Sequence, residues 1–576
     1  MMEPGARANL PVYERPLHER IKDRIPAVLL SVLIALIVIP PLLVLLRTSL
    51  RDADDMNYTL EHYAGLFSDP HLYTSAWNSI IFAALATLLS LINGGLVAWL
   101  VERTNVPFKP LAYLSAIISL GTPYIIYVSA WLYILGRAGP VNSLYRTLID
   151  PMGTFFNVYS ITGMVLIEGF LWSPLVFLLM SATFRRSNAD MEEAARIAGA
   201  SVTATVLRIS LRLAMPAVLG LGLFVFIRNL EAFDVPVLIG TPSKISLLTT
   251  DIYQSMTRVP PQMGHASAFS IVLMMVVAVL LHFYSKIARQ AERFASVTGK
   301  GYRPRAFDLG KGRWMGAALI IFNALLVLVF PILAILYTSL TPFARPLNWA
   351  GLSNLTLDHY RNVFQHAYYL DLAFNTFLVA ATSASLAIGL TALGAWMSVR
   401  YWRGSGLIEQ LTSVPLVFPG IVLGVAMIEM SLRFPLPVYG SLWVISFAFV
   451  IRYLPYGMRY SHAGVIQIHR DLEDAAGIAG ANRPAILRRV LLPLISPSLI
   501  AGWLFIFLIG AKELSIAVLL AGQNSKTIAV AMYDQFVNGA GGEVAAMGAV
   551  WTALMTAFTS ALYFAMRKHS NFGSGA

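Results

Sequence analysis

The chain has no cysteine among its 576 residues, and only 12% of them are charged. Without thiols there is neither a disulfide framework nor a thiolate metal site, so cysteine usage says nothing about redox compartment. Also missing is any match to G-x-x-x-x-G-K-[ST], the loop whose backbone amides and lysine hold nucleotide phosphates. The nearest approach, Gly522-Gln523-Asn524-Ser525-Lys526-Thr527, lacks the second glycine and reads as an ordinary loop. The sequence therefore offers no parts for ATP chemistry of its own.

Apolar residues are what it has. They make up 57% of the chain, and the mean hydropathy of +0.67 lies outside the range of soluble domains. A helix needs about 20 apolar residues to cross ~30 Å of hydrocarbon, and about twelve stretches qualify. They lie near 26–47, 76–101, 111–135, 161–183, 214–233, 266–285, 314–340, 372–399, 407–431, 441–458, 496–520 and 544–566. The fold class is all-α, a polytopic membrane protein. The stretch Ala27 to Leu46 is too long for a signal-peptide core and lacks a small-residue cleavage pattern, so it reads as a retained helix.

The net charge of +12 could suggest nucleic acid. The basic residues, however, sit in short loops beside apolar spans, where they act as orientation signals, and no nucleic-acid partner is expected. Arg7, Arg15, Arg20, Lys22 and Arg24 precede the first span. Lys286, Arg289, Arg293, Lys300, Arg303, Arg305, Lys311 and Arg313 fill the middle loop against Glu292 and Asp308, and Arg567 and Lys568 close the chain. These loops fall on one side, which reads as the cytoplasm, with both termini there.

Two polar gaps carry nearly the same sequence, EEAARIAGAS at 192–201 and EDAAGIAGAN at 473–482. The match extends outward. Thr59-Leu60-Glu61-His62-Tyr63 recurs as Thr356-Leu357-Asp358-His359-Tyr360. Asn78, Trp99 and Arg103 recur as Asn375, Trp396 and Arg400; Pro174 and Pro216 as Pro455 and Pro497; Ser243-Lys244 as Ser525-Lys526. Such ordered recurrence means duplication of a whole domain, and two halves of six spans each give a parallel repeat. The resulting division is a cytoplasmic segment 1–25, a first domain 26–285, a glycine-rich linker 286–313, a second domain 314–566 and a tail 567–576.

Each gap has the makings of a short helix. Asp190 or Asp471 can cap it, with a carboxylate three residues later. Alanines 194, 195 and 198, and 475, 476 and 479, keep its surface small, and Gly199 or Gly480 allows a turn at positive φ. Glu193-Ala194-Ala195, Gly199, Ile209 and Leu211, with Asp474-Ala475-Ala476, Gly480, Val490, Leu492 and Pro493, resemble the EAA loops of permease subunits of binding-protein-dependent ABC importers. Arg212 stands where the family usually has the proline that the second copy supplies as Pro493, and Asp474 replaces the usual glutamate, which puts the equivalence of the two loops in doubt.

The resemblance implies a type I importer permease fold in a bacterial inner membrane. It implies that Glu192, Glu193, Ala194, Ala195 and Gly199, with Glu473, Asp474, Ala475, Ala476 and Gly480, couple to two copies of a cytoplasmic ABC ATPase. ATP and magnesium would be used by those partners, no cofactor being bound by this chain. A periplasmic or lipid-anchored binding protein would deliver the solute. Fusion of both halves in one chain is similar to the ferric-iron permeases, so ferric iron is the expected solute; thiamine, phosphonate, polyamine and sulfate systems belong to the same broader group. An ion-gradient-driven secondary transporter is the competing class, since it also uses two parallel six-helix halves. A membrane scaffold that docks a partner without moving solute is a third.

Charges inside spans are costly and often functional. Glu168, Glu231, Arg452 and Glu513 are the candidates for a polar translocation pathway, with Arg228, Asp234, Lys512, Glu429 and Arg433 nearby. The alternative is neutralising pairs within the bundle. His62 and His359 with Tyr63 and Tyr360 could supply metal ligands, but their recurrence fits a structural loop equally well. Asn78 and Asn375 read as caps or interhelical hydrogen bonds.

Overall fold

A computed structural model describes residues 17–52, 57–186, 190–293, 307–343, 353–400, 406–434 and 438–572. Among these residues the chain is helical almost throughout; the only β pairing is in isolated bridges, Arg51 with Tyr58 and Thr104 with Phe307. Arg7, Arg15, Lys300, Arg303 and Arg305 lie outside the described residues.

Among the described residues, eight helices are long and apolar enough to span a bilayer, and two further candidates are bent pairs. The expected spans at 111–135 and 407–431 are these pairs. Lys109–Gly121 meets the following helix at 109°, and Gly406–Val417 meets Gly420–Arg433 at 101°. The physical cause is in the sequence: Pro123 and Pro419 stand at the breaks, and proline removes a helical donor and forces the preceding residue out of the α region. The stretches 441–458 and 544–566 lie in the helices Leu442–Gln467 and Gly541–Phe572. The helix Met263–Arg293 continues into the stretch read as linker, because residues 286–293 contain no glycine or proline to end it.

The described chain forms two compact units, Met1–Pro40 with Ala384–Leu416 and Tyr453–Ile506, and Pro41–Ser383 with Val417–Arg452 and Phe507–Ala576. In the smaller unit, Ala27, Leu30, Ile34 and Val38 share a core with Ala395, Trp396, Leu454 and Met458. In the larger unit the helices Pro70–Arg103 and Ile161–Arg186 approach so closely at Gly94 that a Cβ there would lie 2.6 Å from the Ser173 carbonyl oxygen. Beside it, Asn93 donates to Ser173 Oγ at 2.5 Å and Asn323 Oδ1 at 2.7 Å. Small residues and interhelical hydrogen bonds are what hold helices together where lipid offers no hydrophobic contrast.

The repeated motifs are structural fasteners. His62 Nε2 lies 2.8 Å from the Arg51 carbonyl and His359 Nε2 lies 3.0 Å from that of Thr341. Each imidazole fills the space over a glycine, Gly264 or Gly542, that a Cβ would occupy. Tyr63 donates to Ser49 Oγ and Tyr360 bonds Ser339 Oγ, both at 2.7 Å. Asn78 donates to the Ser246 carbonyl, and Asn375 to those of Asn524 and Lys526.

Candidate functional site: a charged chamber and two repeated segments

Glu168, Glu231, Arg452 and Glu513 line one cavity of about 50 Å³, together with Tyr124, Trp172, Arg228, Asp234, Gly420 and Ser515. The two helix breaks form part of its wall through Tyr124 and Gly420. Glu231 Oε2 is shared, accepting from Arg228 Nη1 at 2.7 Å and Arg452 Nη2 at 3.0 Å. Glu168 accepts from Trp172 Nε1 at 2.9 Å.

Breaking a helix frees carbonyls that must find donors inside a membrane. Here two cations supply them: Lys512 Nζ donates to Leu120 O at 2.8 Å and lies 4.3 Å from the centre of the Tyr124 ring, and Arg452 Nη1 donates to Phe418 O. Arg452 thus serves both a broken helix and the shared carboxylate. At Gly420 the approach is close: a Cβ there would fall 2.0 Å from Ser515 Oγ and displace that hydroxyl.

Among the described residues no group of three or more carboxylates and imidazoles converges as a metal site. A larger cavity of about 770 Å³ is lined by Asp69, His71, Asp251, His265, Glu429 and Arg433, among others. Arg433 and Glu429 pair at 3.5 Å, and Thr48 donates to Glu429 at 3.1 Å.

The EAA-like segments form the helices Asp190–Ile197 and Asp471–Ile478. Asp471 is the first helical residue and not its cap; Arg470 holds the cap position without a side-chain bond. The acidic residues nevertheless sit in the first turn, where the helix dipole favours them. The counterpart cap in the first copy falls at 187–189, outside the described residues. Gly199 and Gly480 have φ of +82° and +87°, and each helix turns there. Beyond the turns, Val206–Ser210 and Leu487–Leu491 both form a π-helical turn before re-entering an apolar helix.

Within the segments Ala194, Ala475 and Asp474 are exposed and Ala195 and Ala476 half-buried, whereas Glu192 and Glu473 are buried. The side chain of Glu193 lies outside the description. The sequence reading passed over Ile197 and Ile478, each 89% exposed. Their signal was present as the shared I-A-G in both copies. Both copies thus present an exposed isoleucine at the same place on a charged helix.

The loop 522–527 shows no phosphate-cradle arrangement: Ser525 donates to Gly440 O at 2.6 Å, and Lys526 pairs with Asp534 at 2.6 Å. That hydrogen bond holds the Lys526 ammonium above its ordinary pKa.

Spanning helices, a whole-domain duplication, paired broken helices around a charged chamber and twin exposed segments define a duplicated membrane transport subunit. The chain belongs to the family described as binding-protein-dependent transport system inner membrane component, which it matches over residues 94–336 and 387–570. It is a fused two-domain permease, a multi-pass inner-membrane protein of the ABC importer class.

Among its relatives, the ferric transport system permease protein FbpB of Actinobacillus pleuropneumoniae is 24% identical over 88% of this chain and 73% of its own length. A probable ABC transporter permease of Sinorhizobium fredii, y4fN, is 26% identical over 84% of this chain and 86% of its own. The spermidine/putrescine permease PotB of Haemophilus influenzae is 28% identical over 46% of this chain but 94% of its own length, so nearly a whole relative corresponds to half of this protein.

Proposed function

We propose that this permease moves a solute, delivered by an outer binding protein, into the cytoplasm by alternating access driven by two ATPase subunits, and that the solute is ferric iron. The observation that carries the ATPase-driven reading is the duplicated segment itself, a turn at positive-φ Gly199 or Gly480 beside a fully presented Ile197 or Ile478. The charged chamber supplies the pathway, with Glu168, Glu231, Arg452 and Glu513 on its wall. Both termini and both docking segments lie on the cytoplasmic side in this reading. Iron rests on the two-domain ferric permeases that match along most of the chain, whereas the polyamine permease matches half of it.

The test is reconstitution of the permease with its ATPase and binding protein in liposomes. Ferric ion is expected to stimulate ATP hydrolysis and to be taken up without a proton gradient. Stimulation by thiamine, a phosphonate, a polyamine or sulfate instead would overturn iron alone. Uptake that ignores ATP and collapses with the proton gradient would overturn the ATP-driven reading.

A further inference from the structure

Each docking segment is tied to a long membrane helix by the same two residue types. Arg103 and Arg400 stand in the last turns of Pro70–Arg103 and Ala367–Arg400, where a cation suits the helix dipole. Arg400 Nε lies 2.7 Å from Glu473 Oε1, and Trp396 Nε1 donates to the other oxygen of that carboxylate at 3.2 Å. Arg400 Nη2 also donates to the carbonyls of Val465 at 3.1 Å and Ile468 at 2.5 Å. These close the end of Leu442–Gln467, whose last carbonyls have no partner within the helix. A single guanidinium therefore holds the docking helix, the end of a second membrane helix and its own helix in one arrangement.

The first copy repeats the pair more loosely. Arg103 Nη1 is 3.7 Å from Glu192 Oε2, and both side chains are almost fully buried. Glu192 Oε1 and Trp99 Nε1 have no hydrogen-bond partner among the described residues, whereas their counterparts in the second copy are bonded. A buried ion pair adds little net stability against an apolar replacement, yet losing one member leaves an uncompensated charge. Such a pair restricts position more than it stabilises.

We propose that Arg400 and Arg103 are positioning residues that carry movement of the docking segments into the long helices, and that the second brace is the stiffer link. This rests on the ATPase-docking reading above. The buried carboxylate is the one preceding the E-A-A position, Glu192 or Glu473, which leaves the exposed face of each segment free for the partner.

The native chain has no cysteine, so single labels are unambiguous. Spin labels at Gly389→Cys or Ile92→Cys, both exposed positions on the two long helices, report their movement when the full complex is trapped with ATP and vanadate. Arg400→Ala is expected to leave ATPase co-purification within about twofold while shrinking the response at position 389 about fivefold or more. Arg400→Lys should restore part of it, and Arg103→Ala should shrink the response at position 92 by less.

An undiminished response in Arg400→Ala would overturn the brace; equal losses from the two alanine variants would overturn its asymmetry. The pair exchange Arg400→Glu with Glu473→Arg guards against misfolding: a recovered response supports the brace, and a response no better than Arg400→Ala in a chain that still co-purifies counts against it. Gly199→Arg with Gly480→Arg separates the two ideas. If that variant retains ATPase binding, the docking reading fails, whatever Arg400 does.

Discussion

Single residues in this protein serve two masters. Arg452 completes the hydrogen bonding of a broken helix at Phe418 and shares Glu231 with Arg228. Glu231 thus balances charge on both guanidinium groups. Glu231→Gln should destabilise the protein by about 3 kcal/mol, the order expected when a buried pair loses one partner. Thermal unfolding in detergent measures this, and adding Arg452→Gln should recover part of the loss, because the second change removes the stranded charge. No recovery would mean that Arg452 is held mainly by Phe418. Charge spacing alone marked Glu231 and Arg452 as pathway candidates; their direct pairing was not legible, since they stand far apart in the chain.

At the scale of elements, the two short repeated helices, Asp190–Ile197 and Asp471–Ile478, are defined by their ends. Gly199 and Gly480 sit at φ values that L side chains rarely adopt, but among the described residues beyond their chain neighbours no atom lies within 4 Å of where a Cβ would be. An arginine at either place therefore projects into open space, costing about 1–2 kcal/mol of backbone strain, and acts mainly by obstructing the partner. Gly199→Arg with Gly480→Arg should leave the permease in the membrane and cut ATPase co-purification by about tenfold or more, equivalent to roughly 1.4 kcal/mol. Full co-purification would sink the docking assignment. These glycines were readable from composition and spacing, because a helix stop is a local property. The first-turn position of Asp471 was not, since cap and first helical residue differ only in backbone angles. The bends at Pro123 and Pro419 were available in the sequence but hidden by a hydropathy window, which averages across a break.

For the molecule as a whole, duplication of the sequence and division of the structure follow different lines. Each compact unit takes segments from both halves: Met1–Pro40 joins 384–416 and 453–506, while the remainder forms the larger unit. Within that larger unit, Lys512 of the second half completes the backbone of Leu120 in the first, and Arg452 pairs with Glu231. Each half should therefore depend on the other. Expressed as two chains divided within 294–306, either half alone should accumulate in membranes to about a tenth of the level reached on co-expression, if mutual burial contributes at least ~1.4 kcal/mol. Immunoblots of membrane fractions test this, and equal levels alone and together would show that the halves fold independently.

The sequence by itself determined the membrane class, the duplication, the two repeated polar segments and the absence of a phosphate loop. Each is a matter of composition, period or local spacing, which the linear chain carries in full. Only the tertiary structure decided that four scattered charges share one chamber, that two cations cap two broken helices, that the repeated histidines are fasteners, and that Arg400 grips Glu473 more closely than Arg103 grips Glu192. Those outcomes depend on which buried polar groups meet across helices, where an unpaired donor or charge is too costly to leave, and that is a property of packing rather than of order along the chain.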